Sequence, residues 1–397
     1  MSRPDSSFAQ TLQSGRLPLQ GIDPIAEPSN MVPHLFYKLG VRNLVIWPSF
    51  FNRALRSVVA PSVRDSIRDA IIPMFMFKWL VVVLPLWVYA VFLMPEDAGL
   101  VHKVIVTLVY WLIVFDNLEP YILGLHCLVH KPIFVPSAQV LQTIYVWVLG
   151  PAMGMVPETY YSHHIGVHHP MNNGHQDVSS TMMYRRDSVW HFLQYAFWFQ
   201  FVHRALCQEL VRLGNTKRVR TFLVGEGSFW AFTAAVFWMR GPYTALCFLV
   251  IPVVLVRLGM TTGNWGQHAF LNPVDPYTNH NQSCVIVNSV YNLLAFNDGY
   301  HIMHHCHPTA HYTQLPLLFS NGLEEMARSD SVVFDASKSN GSIVDWPSIS
   351  ILLLRGRYDI LADSFVDVKA LVQGKAPRPH EEIVRLLQAR VRKIYME

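Results

Sequence analysis

Four stretches of the chain stay apolar for about 20 residues, the length a helix needs to cross the hydrocarbon core of a bilayer. The first, "IIPMFMFKWLVVVLPLWVYAVFLM" (71–94), places Lys78 near enough to one end to snorkel. The second begins at about Val104 and runs "VIVTLVYWLIVFDNLEPYILGL" to about Leu125. A third covers roughly 221–239, and a fourth, "YTALCFLVIPVVLVRLGMTT", covers 243–262. The stretches 139–156 and parts of 189–203 are also apolar, and read either as further spans or as re-entrant or interfacial pieces. The pattern predicts an all-α integral membrane protein with four to six transmembrane helices. It divides the chain into a polar tail and interfacial segment (1–70), a membrane domain (71–312) and a cytoplasmic C-terminal region (313–397).

Composition agrees with the pattern. The chain has 397 residues, of which 51% are hydrophobic and only 15% charged, more apolar side chain than a soluble fold of this size needs to bury. A net charge of +4 is too small and too scattered for a nucleic-acid binder. The five cysteines include no CxxC pair, so neither a disulfide framework nor a thiolate zinc site is indicated. Residues 1–30 contain no apolar core of a secretory signal and read as a mostly disordered tail. "RNLVIWPSFFNRALRSVVA" (42–60) mixes aromatic and aliphatic residues with arginines, as either a segment lying flat at the headgroups or an amphipathic helix packed on the protein would.

Basic residues set the expected sidedness. Lys and Arg are in excess before residue 71 and across 184–220 (Arg185, Arg186, Arg204, Arg212, Lys217, Arg218, Arg220), whereas the connection "PEDAGLVH" carries Glu96 and Asp97. Both termini and the large middle loop therefore belong on the cytoplasmic side, and spans two and four descend to that same face. They deliver "HCLVHK" (126–131) and "GNWGQHAF" (263–270) there.

Sixteen of the 19 histidines lie between His126 and His311. His126 and His130 stand at i and i+4, so on a helix both rings point from one face toward a single metal. The same reasoning covers His164, His168 and His169, and again His301, His304 and His305 in "GYHIMHHCHP". One such pair is weak evidence. Three clusters, together with "NWGQH" at the end of an apolar span, point to a metal site. Nine neutral imidazoles suit a borderline transition metal such as Zn, Cu, Fe or Ni and are too many for one ion. No Glu-x-x-His motif of soluble di-iron bundles accompanies these clusters. His163, His175, His307 and His311 flank them as candidate ligand-orienting partners. His191 and His203 read as interfacial or core residues. Asp116 and Glu119 lie on one stripe of the second span with His126 and His130, and are candidate catalytic carboxylates because a carboxylate inside a span is costly.

The region 71–312 resembles the integral-membrane fatty acid desaturase superfamily, which includes desaturases, alkane and fatty-acid hydroxylases, carotenoid ketolases and oxidative decarboxylases. The resemblance rests on HxxxH (His126, His130), HxxxHH (His164, His168, His169), HxxHH (His301, His304, His305), His268, and Asn264 four residues before it. It implies that these ten residues hold two Fe ions, with Asn264 holding a water on iron, and that O2 is a co-substrate. The middle box has the three-residue spacing of alkane hydroxylases. Val167 and Cys127 nevertheless stand where those enzymes carry Gly and Glu. No HPGG haem motif is present, so the resemblance implies a separate electron donor such as cytochrome b5, ferredoxin or rubredoxin with its reductase.

The expected function is therefore a fatty acid desaturase acting on fatty-acyl or other long-chain lipids at a membrane, with no nucleic-acid partner. A hydroxylase or oxidative decarboxylase of the same superfamily is the alternative. Trp111, Tyr121, Trp147 and Trp265 are candidate channel residues. A histidine-rich metal transporter is disfavoured, because its ligands should sit at mid-membrane depth, whereas these sit at span ends.

Overall fold

A computed structural model of the chain describes residues 49–394. The N-terminal tail lies outside the described residues, and of the 42–60 segment only the helix Ser49–Val59 and the turn after it fall within them. The described chain is mostly helical. In chain order the helices that matter here are α1 (Ile71–Leu93), α2 (Leu100–His130), α3 (159–171), α4 (Thr216–Arg240), α5 (Pro242–Gln267), α6 (His301–Cys306) and α7 (Trp346–Leu354). Among the described residues α1, α2, α4 and α5 are long and apolar enough to cross a membrane. The helical stretches 140–152 and Val189–Phe199 are too short for that at 1.5 Å per residue. One element departs from an all-α architecture: strands β1 (Cys284–Val287) and β2 (Val332–Asp335) form a parallel pair, with Cys284 opposite Val332 and Val287 opposite Asp335.

Two compact units divide the described residues: a span unit of 49–166 and 206–258, and a sheet unit of 167–205 and 259–394. In the span unit, α2 runs for 31 residues. At 1.5 Å per residue that is about 45 Å, longer than the ~30 Å hydrocarbon core. Its last turns, which carry His126 and His130, can therefore stand clear of the lipid. Its outer face exposes Leu108, Leu112 and Phe115, as a lipid-facing helix must. Behind the histidines lies an aromatic cluster. Trp79 meets Tyr121 and Tyr145 edge-on at 5.3 and 5.6 Å, and the two tyrosine rings stack at 4.9 Å. Each tyrosine hydroxyl donates to the other's backbone carbonyl, Tyr121 at 3.0 Å and Tyr145 at 2.7 Å, which satisfies polar atoms that a dry interior would otherwise penalise.

In the sheet unit, the β pair and α6 share one apolar core of Val285, Val287, Tyr300, Ile302, Met303, Phe319 and Val333. The approach of the chain to α6 requires a glycine. A Cβ at Gly299 would lie 2.1 Å from the Asn292 side-chain oxygen, which already accepts the Gly299 N–H at 2.9 Å. The C-terminal residues 313–394 belong wholly to this unit. They supply β2 and α7, and the latter lies so close to α5 that a Cβ at Gly266 would meet the Trp346 carbonyl at 2.4 Å. Arg186 is fully buried and donates to the carbonyls of Tyr184, Ala269, Arg390 and Arg392, which ties the segment after α3 to the chain's end. It is consequently no part of a surface charge excess.

Candidate metal centre

The middle histidine box does not follow a regular helix. α3 opens as α-helix over Thr159–His163 and switches to a π turn over His164–His168. A π turn closes on i→i+5 bonds and carries more residues per turn than an α-helix, so the α-helical relation between i and i+4 no longer holds there. The expectation that His164, His168 and His169 aim at one metal is corrected by this geometry. His164 gathers with His126 and His130 in the span unit, while His168 joins His268, His301 and His305 in the sheet unit. The third box divides in the same way: within the sheet unit His304 pairs with His169, Nε2 to Nε2 at 2.9 Å, while His301 and His305 join the four-histidine group.

That group is the most complete. One ring nitrogen from each of His168, His268, His301 and His305 lies within 4.8 Å of the others, and all four residues are buried. The His268 Nδ1 faces the Gln282 carbonyl at 2.6 Å, and a carbonyl only accepts, so Nδ1 carries the proton. Its Nε2 is then a bare lone pair, buried and without a hydrogen-bond partner. A buried acceptor in that condition is costly unless something fills its lone pair. His168 is oriented alike, with Nδ1 2.7 Å from the Asp177 carboxylate. Asp177 is itself held by the Ser179 N–H at 2.9 Å and hydroxyl at 2.8 Å. His301 Nδ1 lies 3.5 Å from Asp298, whose other oxygen accepts from Tyr291, Trp346 and Gln267 at 2.7, 2.8 and 3.0 Å. Burial first, and then the neighbouring imidazoles, hold His268 and His305 well below the usual histidine range. The neutral imidazole is the form that binds a metal.

In the span unit His126, His130 and His164 offer three more nitrogens within 4.8 Å of one another, with His130 Nε2 2.9 Å from His164 Nε2. The Tyr160 ring stacks on His164 at 5.0 Å. Asp116 is exposed on α2 and interacts electrostatically with Lys78, and Glu119 is half-buried. Carboxylates that bear on imidazoles of the four-histidine group are Asp177 and Asp298. Sequence reading passed over both. Asp298 had a signal, since it stands three residues before His301; Asp177 sits in a turn nine residues past His168 and had none.

Asn264 sits one turn before His268 and donates its amide to the Ser179 carbonyl at 3.0 Å and the Tyr195 hydroxyl at 2.8 Å, bracing the turn that carries Asp177. Among the flanking histidines, His311 caps a short helix through Thr313, and both ring nitrogens of His175 are buried without a partner. His191 accepts the Arg185 N–H at 2.8 Å. Trp111 and Trp265 spend their indole N–H groups on the carbonyls of Cys247 and Arg186, both at 2.9 Å. Tyr121 and Trp147 line a cavity of about 500 Å3 in the span unit.

Buried imidazoles with fixed tautomers and carboxylate partners are a donor set made for a transition metal. No curated protein and no solved structure matches the chain. The family model described as fatty acid desaturase matches residues 121–337, more than half of the chain, and that stretch contains all three histidine boxes and His268. The chain belongs to the fatty acid desaturase family, an oxidoreductase superfamily of desaturase and hydroxylase type.

Proposed function

We propose that the protein is an O2-dependent di-iron oxidoreductase that desaturates fatty-acyl lipids, with its histidine clusters on the cytoplasmic side of the membrane. The observation that carries the metal assignment is the bare Nε2 of His268 inside a buried four-histidine group. One iron is assigned to His168, His268, His301 and His305, and the trio His126, His130 and His164 offers nitrogens to the other. His169, His304 and Asn264 complete the ligand set that the family resemblance implies. When bound, iron together with O2 supplies the power to remove a hydrogen atom from an unactivated C–H bond.

The chain's own residues provide the rest. Asp177 and the Gln282 carbonyl fix the proton of His168 and of His268 on Nδ1 and turn Nε2 inward. The aromatic cluster of Trp79, Tyr121 and Tyr145 excludes water behind His126. Asp116 and Glu119 enter as positioning residues, which tune the site through α2. Electrons come from a separate donor protein.

Hydroxylation is the second reading, favoured by the three-residue spacing of the middle box, while Val167 and Cys127 favour desaturation. Product analysis of lipids from cells that express the chain with a reductase system tests the proposal: a new double bond is expected, and a lipid alcohol would select the second reading.

A further inference from the structure

Glu158 stands in a left-handed backbone conformation, φ 63° and ψ −14°, which side chains other than Gly, Asn and Asp rarely adopt. It occupies the position ahead of α3 where a side chain would normally cap the helix, yet makes no capping hydrogen bond. Both neighbours are pinned. A Cβ at Gly225 of α4 would sit 2.1 Å from the Pro157 carbonyl, so α4 docks directly on that backbone. The Thr159 hydroxyl donates to Glu226 at 2.8 Å; Glu226 accepts from Trp230 at 2.8 Å and pairs with Arg257 of α5 at 2.9 Å. A strained residue held by its surroundings, at a position that glycine would fill without strain, points to a role for its side chain.

That side chain lines the 500 Å3 cavity, which falls in the size range of ligand sites. The metal-ligand candidate His130 lines the same cavity, whose lining is mixed: Leu125, Val146 and Met155 are among its apolar residues, and Lys131, Gln139 and Gln142 among its polar ones. One Glu158 oxygen accepts the Trp147 indole N–H at 3.0 Å, and the other has no hydrogen-bond partner among the described residues. Burial raises the carboxyl, against the pull of Trp147 and Arg218, as expected of an oxygen that lacks a second donor.

We infer that this cavity binds a long-chain lipid carrying a hydrogen-bond donor, a hydroxyl or an amide N–H, and that Glu158 receives that donor while the alkyl chain runs along the apolar residues toward His130. The inference deepens the proposed function and rests on His130 being a metal ligand, but recognition by Glu158 needs no turnover. It makes Glu158 a specificity residue, setting how far from the polar group the chain meets the metal site.

Binding tests it apart from the reaction. The full-length protein in phosphatidylcholine nanodiscs is photolabelled with a diazirine-bearing dodecanol, and unlabelled dodecanol or its methyl ether, which lacks the donor, competes. Saturable labelling of peptides within 121–161 is expected, with dodecanol competing about tenfold better than the ether, a difference worth one hydrogen bond to a carboxylate. In Glu158→Gln the amide oxygen keeps Trp147 and an N–H2 faces the cavity, so the ratio should fall to about one while labelling and the thermal transition persist. Equal competition in the wild type, unsaturable labelling, or an unchanged ratio in Glu158→Gln overturns the inference. If the protein lacks iron or forms no oxidised lipid while the preference persists, the proposed function fails and the binding site stands.

Discussion

His168 and Asp177 meet at 2.7 Å with almost no solvent access, the imidazole side chain 4% exposed and the carboxylate 0%. A carboxylate that fixes the tautomer of a ligating histidine is worth 10- to 100-fold in metal affinity. Asp177→Ala should accordingly release iron about 10- to 100-fold more readily to a competing chelator, with the helical circular dichroism retained. Iron held as tightly as in the wild type would remove Asp177 from the site.

His268 lies outside the three boxes, yet its Nε2 has no other use. Purified protein should hold about two irons per chain, the number that nine imidazoles support. His268→Ala should lose iron and activity. His191→Ala, whose ring serves only the Arg185 backbone among its hydrogen bonds, should keep both. One zinc per chain, or full iron in His268→Ala, would contradict the assignment.

Much of this was legible in the sequence. Apolar length gave the four helices that can span, and histidine spacing singled out every residue of the three imidazole groupings except His268, which rested on its place at the end of an apolar span and on the family resemblance. The division of labour was not legible, because spacing arguments assume 3.6 residues per turn and the π turn His164–His168 breaks that assumption. Nor was the sheet unit. The pairing of Cys284 with Val332, and the contact of Trp346 with Asp298, join segments about fifty residues apart, and no local pattern records such partners. Arg186 reads in sequence as one more surface cation, whereas its guanidinium is buried among carbonyls.

The proposed sidedness places the 95–101 connection away from the cytoplasm. There Arg240, at the end of α4, pairs with Glu96 at 3.2 Å and donates to the Met94 carbonyl, and Lys103 donates to the Glu96 carbonyl at 2.8 Å. Single cysteines introduced at 97 or 99 should react with an impermeant maleimide only from the side opposite the termini. Labelling from the cytoplasmic side would reverse the topology.

Arg378 clasps two carboxylates, Asp330 through both terminal nitrogens at 2.7 and 3.0 Å and Asp367 through Nε at 2.8 Å. Burial alone would raise the Asp367 carboxyl, but the hydrogen bonds from Arg378 and from backbone N–H groups outweigh it and hold the carboxyl below its usual value. A depressed carboxylate stabilises the fold above its unfolded pKa, about 3.9, and loses that contribution as pH falls through the lower folded value. Arg378→Ala should therefore cost about 1–3 kcal/mol at pH 7, and the gap from the wild type should narrow at about pH 3. A gap that is constant or widens on acidification would count against the clasp.

Two irons on these histidines, as proposed, should oxidise a lipid C–H bond without leaving oxygen in the product. The direct measurement feeds deuterated acyl chains and 18O2 to a host expressing the chain with a suitable reductase, followed by mass spectrometry of the lipids. Vicinal loss of two deuteriums is expected, with no 18O in the lipid and no product from His268→Ala. Dominant incorporation of one 18O atom would contradict it.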